Sequence, residues 1–405
     1  MKVAVIFHRF GPYHWARLEA ASSQCELVGV ELGAETREYQ WTKIEGIAGF
    51  QRITLFPEGD SRLSPVKELR NRVHHALASV RPEVVAIPGW SDKGALVALR
   101  WCVENKVPAI LMSESTRTDE VRIWWKESVK RRIVALYSSA LVGGERHKEY
   151  LVNLGMPEDR IFTGYDAVDN AYFAQGANEV RGRMAEIRRE HGLPESYFLA
   201  SARFIPKKNL DTLIRAYSEY RKHASASVLR PPTSGLWHLV ILGDGPLRSD
   251  LSSLISDLGL QSCVTMPGFK QYNELPTYYG LAKAFVHAST TEQWGLVVNE
   301  AMASGLPVIV SNRCGCACDL VRDGINGFTF DPGDKTQLGS RLATISALSL
   351  EEREKMSEAS QEIVQQFAPE KFGEGLENAA TYALSHAPKH RGLVSRLLLN
   401  RVLSR

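Results

Sequence analysis

Short apolar runs separated by amphipathic stretches recur along the whole chain. In the first half the runs are KVAVIF, QRITLF, EVVAIP, PAILMS and SALVGG. The stretches between them predict helices over Val66–Val80, Lys93–Glu104, Asp119–Val134 and Glu145–Leu154. Unbroken apolar strands alternating with helices imply a parallel sheet covered on both faces. The segment RIFTGYDAVDNAYF closes this half, and a polar, partly helical stretch runs from Ala174 to Ser196. The alternation then restarts: YFLASA, a helix over Leu210–Lys222, WHLVIL, a helix over Leu247–Leu258, CVTMPG, a helix over Glu274–Ala282, AFVHAS, and finally PVIV. Ser225–Gly235, SASVLRPPTSG, reads as a surface insertion.

The pattern predicts an α/β chain of two doubly wound, Rossmann-like domains facing across a cleft. The first spans residues 1–173 and the second 174–367, and 368–405 forms a helix and basic tail that crosses back to the first domain. Ligands of open parallel sheets bind beyond the carboxyl ends of the strands, so the residues that follow each strand are the ones to inspect.

Composition narrows the classes. With 405 residues, 44% hydrophobic and 23% charged, the chain is long enough for two cores and is globular in character. A formal net charge of +3 carries no bulk nucleic-acid footprint. The apolar run in MKVAVIFHRF is too short for a secretory leader, and no stretch approaches the length of a membrane span, so a cytoplasmic location is expected. The run CGCAC (Cys314, Cys316, Cys318) lacks the usual zinc spacing and reads as loop packing.

The chemistry-bearing loops lie in the second half. After YFLASA, Arg203 sits at the strand exit and Lys208 just ahead of a helix, a pairing that suits a phosphate group and equally a solvated loop. GDG after WHLVIL is turn chemistry first. After CVTMP, Gly268 permits close backbone approach, and Phe269 and Lys270 follow. In TEQWGLVVNEAMASGLPVIVS, Glu292 precedes a glycine-opened helix start at Gly295–Leu296, and Glu300 lies within its first turns. Each acid alone reads as a helix-terminal charge. Carboxylates suit sugar hydroxyls rather than phosphates, and the combination with the two cations favours a sugar–phosphate ligand.

The segments SARFIPKKNLDTLIRAY, LVILGDGPL, PGF, ELPTYYGLAKAFVHAST, TEQWGLVVNEAMASGLPVIVS and LVRDGINGFTFDPGD, in that order from Tyr197 to Asp334, resemble the donor domain of the retaining family-four glycosyltransferases. Their fold is GT-B. The resemblance implies transfer of a sugar from a nucleotide-diphosphate sugar, a co-substrate used without a bound cofactor or metal; no D-x-D motif occurs. It implies that Arg203 and Lys208 hold the diphosphate, Glu292 the transferred sugar, and Glu300 the ribose. The Gly295–Leu296 amides would face the phosphates or sugar, and Gly268, Phe269 and Lys270 would border the base. Arg203, Lys208 and Glu292 are the catalytic candidates.

The first half departs from the family. Its first loop, HRFGPYHW, has Gly11 alone where relatives often have paired glycines, and IPGWSDKGAL lacks their histidine. Gly11, His14, Trp90, Asp92 and Glu114 are the acceptor-side candidates, with His14 read first as a helix-start residue. The acceptor stays open among glycans, lipid-linked and small molecules. RIWWKESVKRRIV (Arg122–Val134) and the tail KHRGLVSRLLLNRVLSR have the composition of basic membrane-surface helices, and equally of helices docked on their own protein. The first reading adds peripheral contact with the inner face of a membrane. Rival readings are a nucleotide-sugar epimerase of GT-B-like fold, a two-lobed sugar-binding protein, and a non-catalytic nucleotide-sugar binder.

Overall fold

The computed structural model describes residues 1–34, 41–42, 44, 46, 48–226, 235–386 and 392–403. The chain forms two compact units, Met1–Val168 with Phe367–Arg405, and Asp169–Gln366. The first break precedes the expected one at 173/174 for a local reason. Asp169 caps the helix Asn170–Gly182 by accepting a 2.9 Å bond from the Tyr172 amide, so that helix opens the second unit.

Among the described residues the first unit has seven parallel strands: β1 (Lys2–Phe7), β2 (Glu26–Gly33), β3 (Gln51–Phe56), β4 (Val84–Pro88), β5 (Ala109–Ser113), β6 (Ser139–Val142) and β7 (Ile161–Thr163). Their spatial order is β3-β2-β1-β4-β5-β6-β7. β2 is absent from the sequence reading because Gly29 and Glu31 interrupt its apolar run. The structure shows why both belong. A side chain at Gly29 would collide with Phe50, its Cβ 2.7 Å from the ring. Glu31 is buried, but it accepts from Arg52 Nε at 2.9 Å, Thr54 Oγ1 at 2.6 Å and the Phe10 amide at 3.1 Å.

One face of this sheet packs on the helices Val66–Val80 and Lys93–Asn105, the other on Pro12–Ser22 and Pro369–Ser385. The last described helix, Gly392–Leu403, buries Leu399 and Leu403 in the first of these cores and lies against Lys93–Asn105. Leu399 and Leu403 of the basic tail are therefore used within their own unit. The expected helix Asp119–Val134 begins only at Trp124. Arg122 sits in the loop ahead of it, bonding Asp119 and the Thr116 carbonyl and lying 4.3 Å from the Tyr150 ring centre. No described helix is long and apolar enough to cross a membrane.

The second unit has, among the described residues, six parallel strands: β8 (Tyr197–Ser201), β9 (His238–Leu242), β10 (Val264–Gly268), β11 (Ala284–His287), β12 (Val308–Ser311) and β13 (Gly327–Phe330). The order is β10-β9-β8-β11-β12-β13, so the winding reverses between β8 and β11. The expected insertion Ser225–Gly235 falls, over 227–234, outside the described residues.

The GDG turn after β9 braces the loop that leaves β8. The Phe204 amide donates to the Asp244 carbonyl at 2.8 Å, and the Leu247 amide to the Phe204 carbonyl at 3.1 Å. Gly243 has φ +123°, and a Cβ there would fall 1.9 Å from the Ala202 carbonyl oxygen. We therefore expect Gly243→Ala to destabilise the unit by about 2 kcal/mol or more, through left-handed strain and overpacking. Urea unfolding checks this, and an unchanged midpoint would exclude it.

Candidate functional site

The winding reversal between β8 and β11 is where an open sheet offers a ligand site, and the chain concentrates its polar contacts there. After β8, a single 3-10 turn (Pro206–Lys208) leads to Asn209, which adopts φ +57°. Asparagine tolerates this conformation better than other residues with a Cβ. Its side-chain amide donates to the carbonyls of Ala288 (3.1 Å) and Pro332 (2.9 Å), tying this turn to the exit of β11 and to the loop after β13. The Thr290 amide donates to the Lys207 carbonyl at 2.9 Å. With the two loops so fixed, Lys208 bonds Glu292, and Lys207 Nζ lies 3.5 Å from the other carboxylate oxygen.

Glu292 is anchored from the far side as well. Its carbonyl accepts from the Gly315 amide at 3.0 Å, so the CGCAC loop forms a floor beneath it. Cys314 and Cys316 are buried and Cys318 is exposed. Among the described residues, no group of three or more His, Cys, Asp or Glu is arranged to hold a metal ion.

Electrostatics at the acid follow from this packing. Burial by itself would raise the carboxyl pKa; facing His287 and Lys208 outweigh it and hold the group well below the usual carboxylate range. His287 Nε2 is 3.7 Å from Glu292 and 3.3 Å from Ser289 Oγ. Burial pushes the imidazole below its ordinary value, so at neutral pH the lysines supply the positive charge.

Gly295, at φ +112°, turns the chain into the helix Leu296–Ala303, and Trp294 Nε1 clamps that turn by donating to Asn299 Oδ1 at 2.9 Å. Glu300 is only 1% exposed and accepts from the Tyr279 hydroxyl at 2.6 Å. Burial and the Glu300 charge keep that hydroxyl protonated as a donor. At the end of β10, Gly268 has φ +92° with open space beside it, Phe269 is partly exposed, and Lys270 reaches Glu274 at 3.2 Å. Arg203 is exposed at the exit of β8. Lys208, Glu292 and Gly295 thus meet at the winding reversal, and Glu300 lies beneath the helix start.

In the first unit the candidates divide. Gly11 and His14 serve one another: the Gly11 amide donates to His14 Nδ1 at 3.1 Å across the start of the helix Pro12–Ser22. Loss of solvent, with Arg17, Arg9 and His8 nearby, pushes the His14 pKa down to about 3. Trp90 is buried in the core beside Tyr150. Asp92 caps Lys93–Asn105 by accepting from the Gly94 amide at 2.7 Å. Glu114 is half-buried just beyond β5.

The sequence reading passed over Lys207, Asn209, Tyr279, His287 and Ser289. Lys207 and Asn209 flank Lys208, which it selected, and His287 ends a strand that it had identified. It also missed His8, which follows β1 with Nε2 3.3 Å from Asp60 and Nδ1 3.7 Å from Asp92.

The two parallel Rossmann-like sheets have the strand layout of the GT-B fold. Residues 184–363 match the family described as "Glycosyl transferases group 1". Among similar proteins, the alpha-monoglucosyldiacylglycerol synthase of Acholeplasma laidlawii is 33% identical over 135 residues, 33% of this chain and 31% of that one. A GDP-mannose-dependent alpha-(1-6)-phosphatidylinositol monomannoside mannosyltransferase of Mycolicibacterium smegmatis is 33% identical over 171 residues, 39% of this chain and 42% of that one. The chain thus spans less than half the length of either relative. The crystal structure of Anabaena HepE in complex with UDP and glucose has a TM-score of 0.69 at 17% identity, covering 93% of this chain and 98% of that chain, a likeness of fold.

The low pKa of Glu292 has a sign that can be tested. A carboxyl depressed in the folded state contributes stability above its unfolded value, near pH 4.5, and loses it as pH falls toward the folded value. Glu292→Gln should therefore be less stable than the parent at pH 7, with the gap narrowing below about pH 4.5. Denaturant titrations between pH 7 and pH 3 measure this; a gap independent of pH would contradict it.

Proposed function

We propose that the chain is a retaining glycosyltransferase that moves a sugar from a nucleotide-diphosphate sugar to an acceptor hydroxyl. The observation that carries the reading is the meeting of Lys207, Lys208 and Glu292 at the winding reversal between β8 and β11. Breaking the bond between sugar and diphosphate places positive charge on the sugar and added negative charge on the departing phosphate. Fixed cations there, with Arg203 at the same strand exit and the amides at Gly295 and Leu296, stabilise that charge without a metal ion. Glu292 accepts from hydroxyls of the transferred sugar. Glu300, held by Tyr279, serves the ribose, and Gly268, Phe269 and Lys270 border the base.

Thermal unfolding in the presence of nucleotide sugars tests the donor site, because a ligand of the folded state raises the midpoint. We expect UDP- or GDP-linked sugars to raise it and turnover to persist in EDTA. Lys208→Ala should weaken donor use by roughly tenfold or more, the loss of a charge-assisted contact of about 1.5–3 kcal/mol. Absence of any shift, or activity lost in EDTA and restored by magnesium, would overturn the reading.

The acceptor is proposed to be carried at a membrane surface. The names of the two relatives above give a glycolipid as the product of one and as the acceptor of the other, and the first unit exposes Val121 (88%) and Trp124 (82%) beside Ile123 and Trp125. Lys126, Arg131 and Arg132 are exposed along the same helix. Interfacial tryptophans with neighbouring cations suit an anionic bilayer. The protein should sediment with anionic vesicles at low salt, and Trp124→Ser/Trp125→Ser should reduce this severalfold while soluble-donor binding is retained. Equal sedimentation of parent and variant would remove this patch from the proposal.

A further inference from the structure

We infer that Glu292 acts as a built-in counter-anion to the phosphate-binding lysines, lowering the affinity of the site for a sugar-free nucleoside diphosphate relative to the nucleotide sugar. The inference rests on the donor-site reading above and concerns what the acid does beyond touching the sugar.

One carboxylate faces two ammonium groups: Lys208 bonds one oxygen, and Lys207 lies 3.5 Å from the other. Lys208 and Glu292 are each 13% exposed, so solvent screens them only in part. The neighbouring groups do not relieve the competition. Ser289 Oγ, 3.4 Å away, is neutral, and His287 is held toward its neutral form by burial. An incoming diphosphate must share these lysines with Glu292.

The two diphosphates differ where it matters. In a nucleotide sugar the terminal phosphate is esterified, and the sugar offers hydroxyls that replace what the carboxylate gives up to the phosphate. In a nucleoside diphosphate that phosphate carries a further negative charge at the position of the missing sugar, and no hydroxyl compensates Glu292. The acid therefore repels the leaving group once the sugar has moved on, and re-forms its lysine pair as the nucleotide departs. The same carboxylate that holds the sugar favours product release.

Titration calorimetry on the full chain tests this with UDP, GDP and inorganic pyrophosphate, and with UDP-glucose and GDP-mannose as donors. Glu292→Gln should bind the nucleoside diphosphate and pyrophosphate about tenfold more tightly than the parent, since a like charge is removed at close range. The preference for nucleotide sugar over nucleoside diphosphate should fall in step. In a Lys208→Gln background the same change should give a clearly smaller gain, because the competed cation is gone. Should Glu292→Gln fail to fold, Glu292→Ser, which also removes the charge, should move the affinities in the same direction. Unchanged or weaker diphosphate binding in a folded variant would overturn the inference and leave the donor site standing. A parent that binds none of these ligands would remove the donor site and the inference together.

Discussion

An ammonium from the loop after β8 and a carboxylate from the loop after β11 meet on the line where the second sheet reverses its winding. Each is mostly withdrawn from water, so each depends on the other. A charge left alone in such a position costs far more than the pair contributes. The surroundings keep the two in register. Asn209 reaches across to Ala288 and Pro332, Thr290 bonds the Lys207 carbonyl, and the cysteine loop holds Glu292 from behind. The backbone irregularities of the region, a left-handed asparagine and a left-handed glycine at 295, are the local adjustments that bring these groups together.

A second layer lies below. Glu300 is too buried to stand on its own charge, and the Tyr279 hydroxyl supports it from a ring packed between Phe173 and Phe285. Phe173 comes from the helix that opens the unit, and Phe285 from β11 beside the winding reversal. The acid at the helix start is thus set by the aromatic core, whereas Glu292 is set by loops. One site combines a rigid carboxylate with one whose partner can be exchanged.

Much of this was legible before the structure. Alternations of apolar strand and amphipathic helix are periodic signals, and they located most strands and several helix starts to the residue, as at Val66, Lys93 and Leu210. What escaped was whatever broke the pattern for a tertiary reason. β2 hid because Glu31 is neutralised by Arg52 and because the space of the missing side chain at Gly29 belongs to Phe50. The helix at Trp124 starts late because Arg122 is held by its own loop. Lys208, Glu292 and Glu300 announce themselves by charge in glycine-rich surroundings. His287 and Tyr279 do not, since a polar tip on a core residue looks like core until its partner is seen. Trp90 errs the other way: it follows a strand, as a ligand residue would, yet packs inward.

The helix Pro369–Ser385 places Phe372, Leu376, Ala379, Ala380 and Ala383 against one face of the first sheet, alongside Val3, Val5, Ala86, Ile110 and Leu141. During synthesis even Leu141, the last of these sheet residues, emerges 231 residues before Phe372 (372 − 141), at ribosomal rates a delay on the order of ten seconds or more. The second unit, Asp169–Gln366, is continuous and can close in the interval. The order of assembly is then the reverse of the order of translation: the unit translated second is the first able to finish, and the one that starts the chain waits with an apolar sheet face covered only by the helix Pro12–Ser22. Holding that face soluble until residue 383 has emerged is a demand placed on the cell rather than on the finished fold.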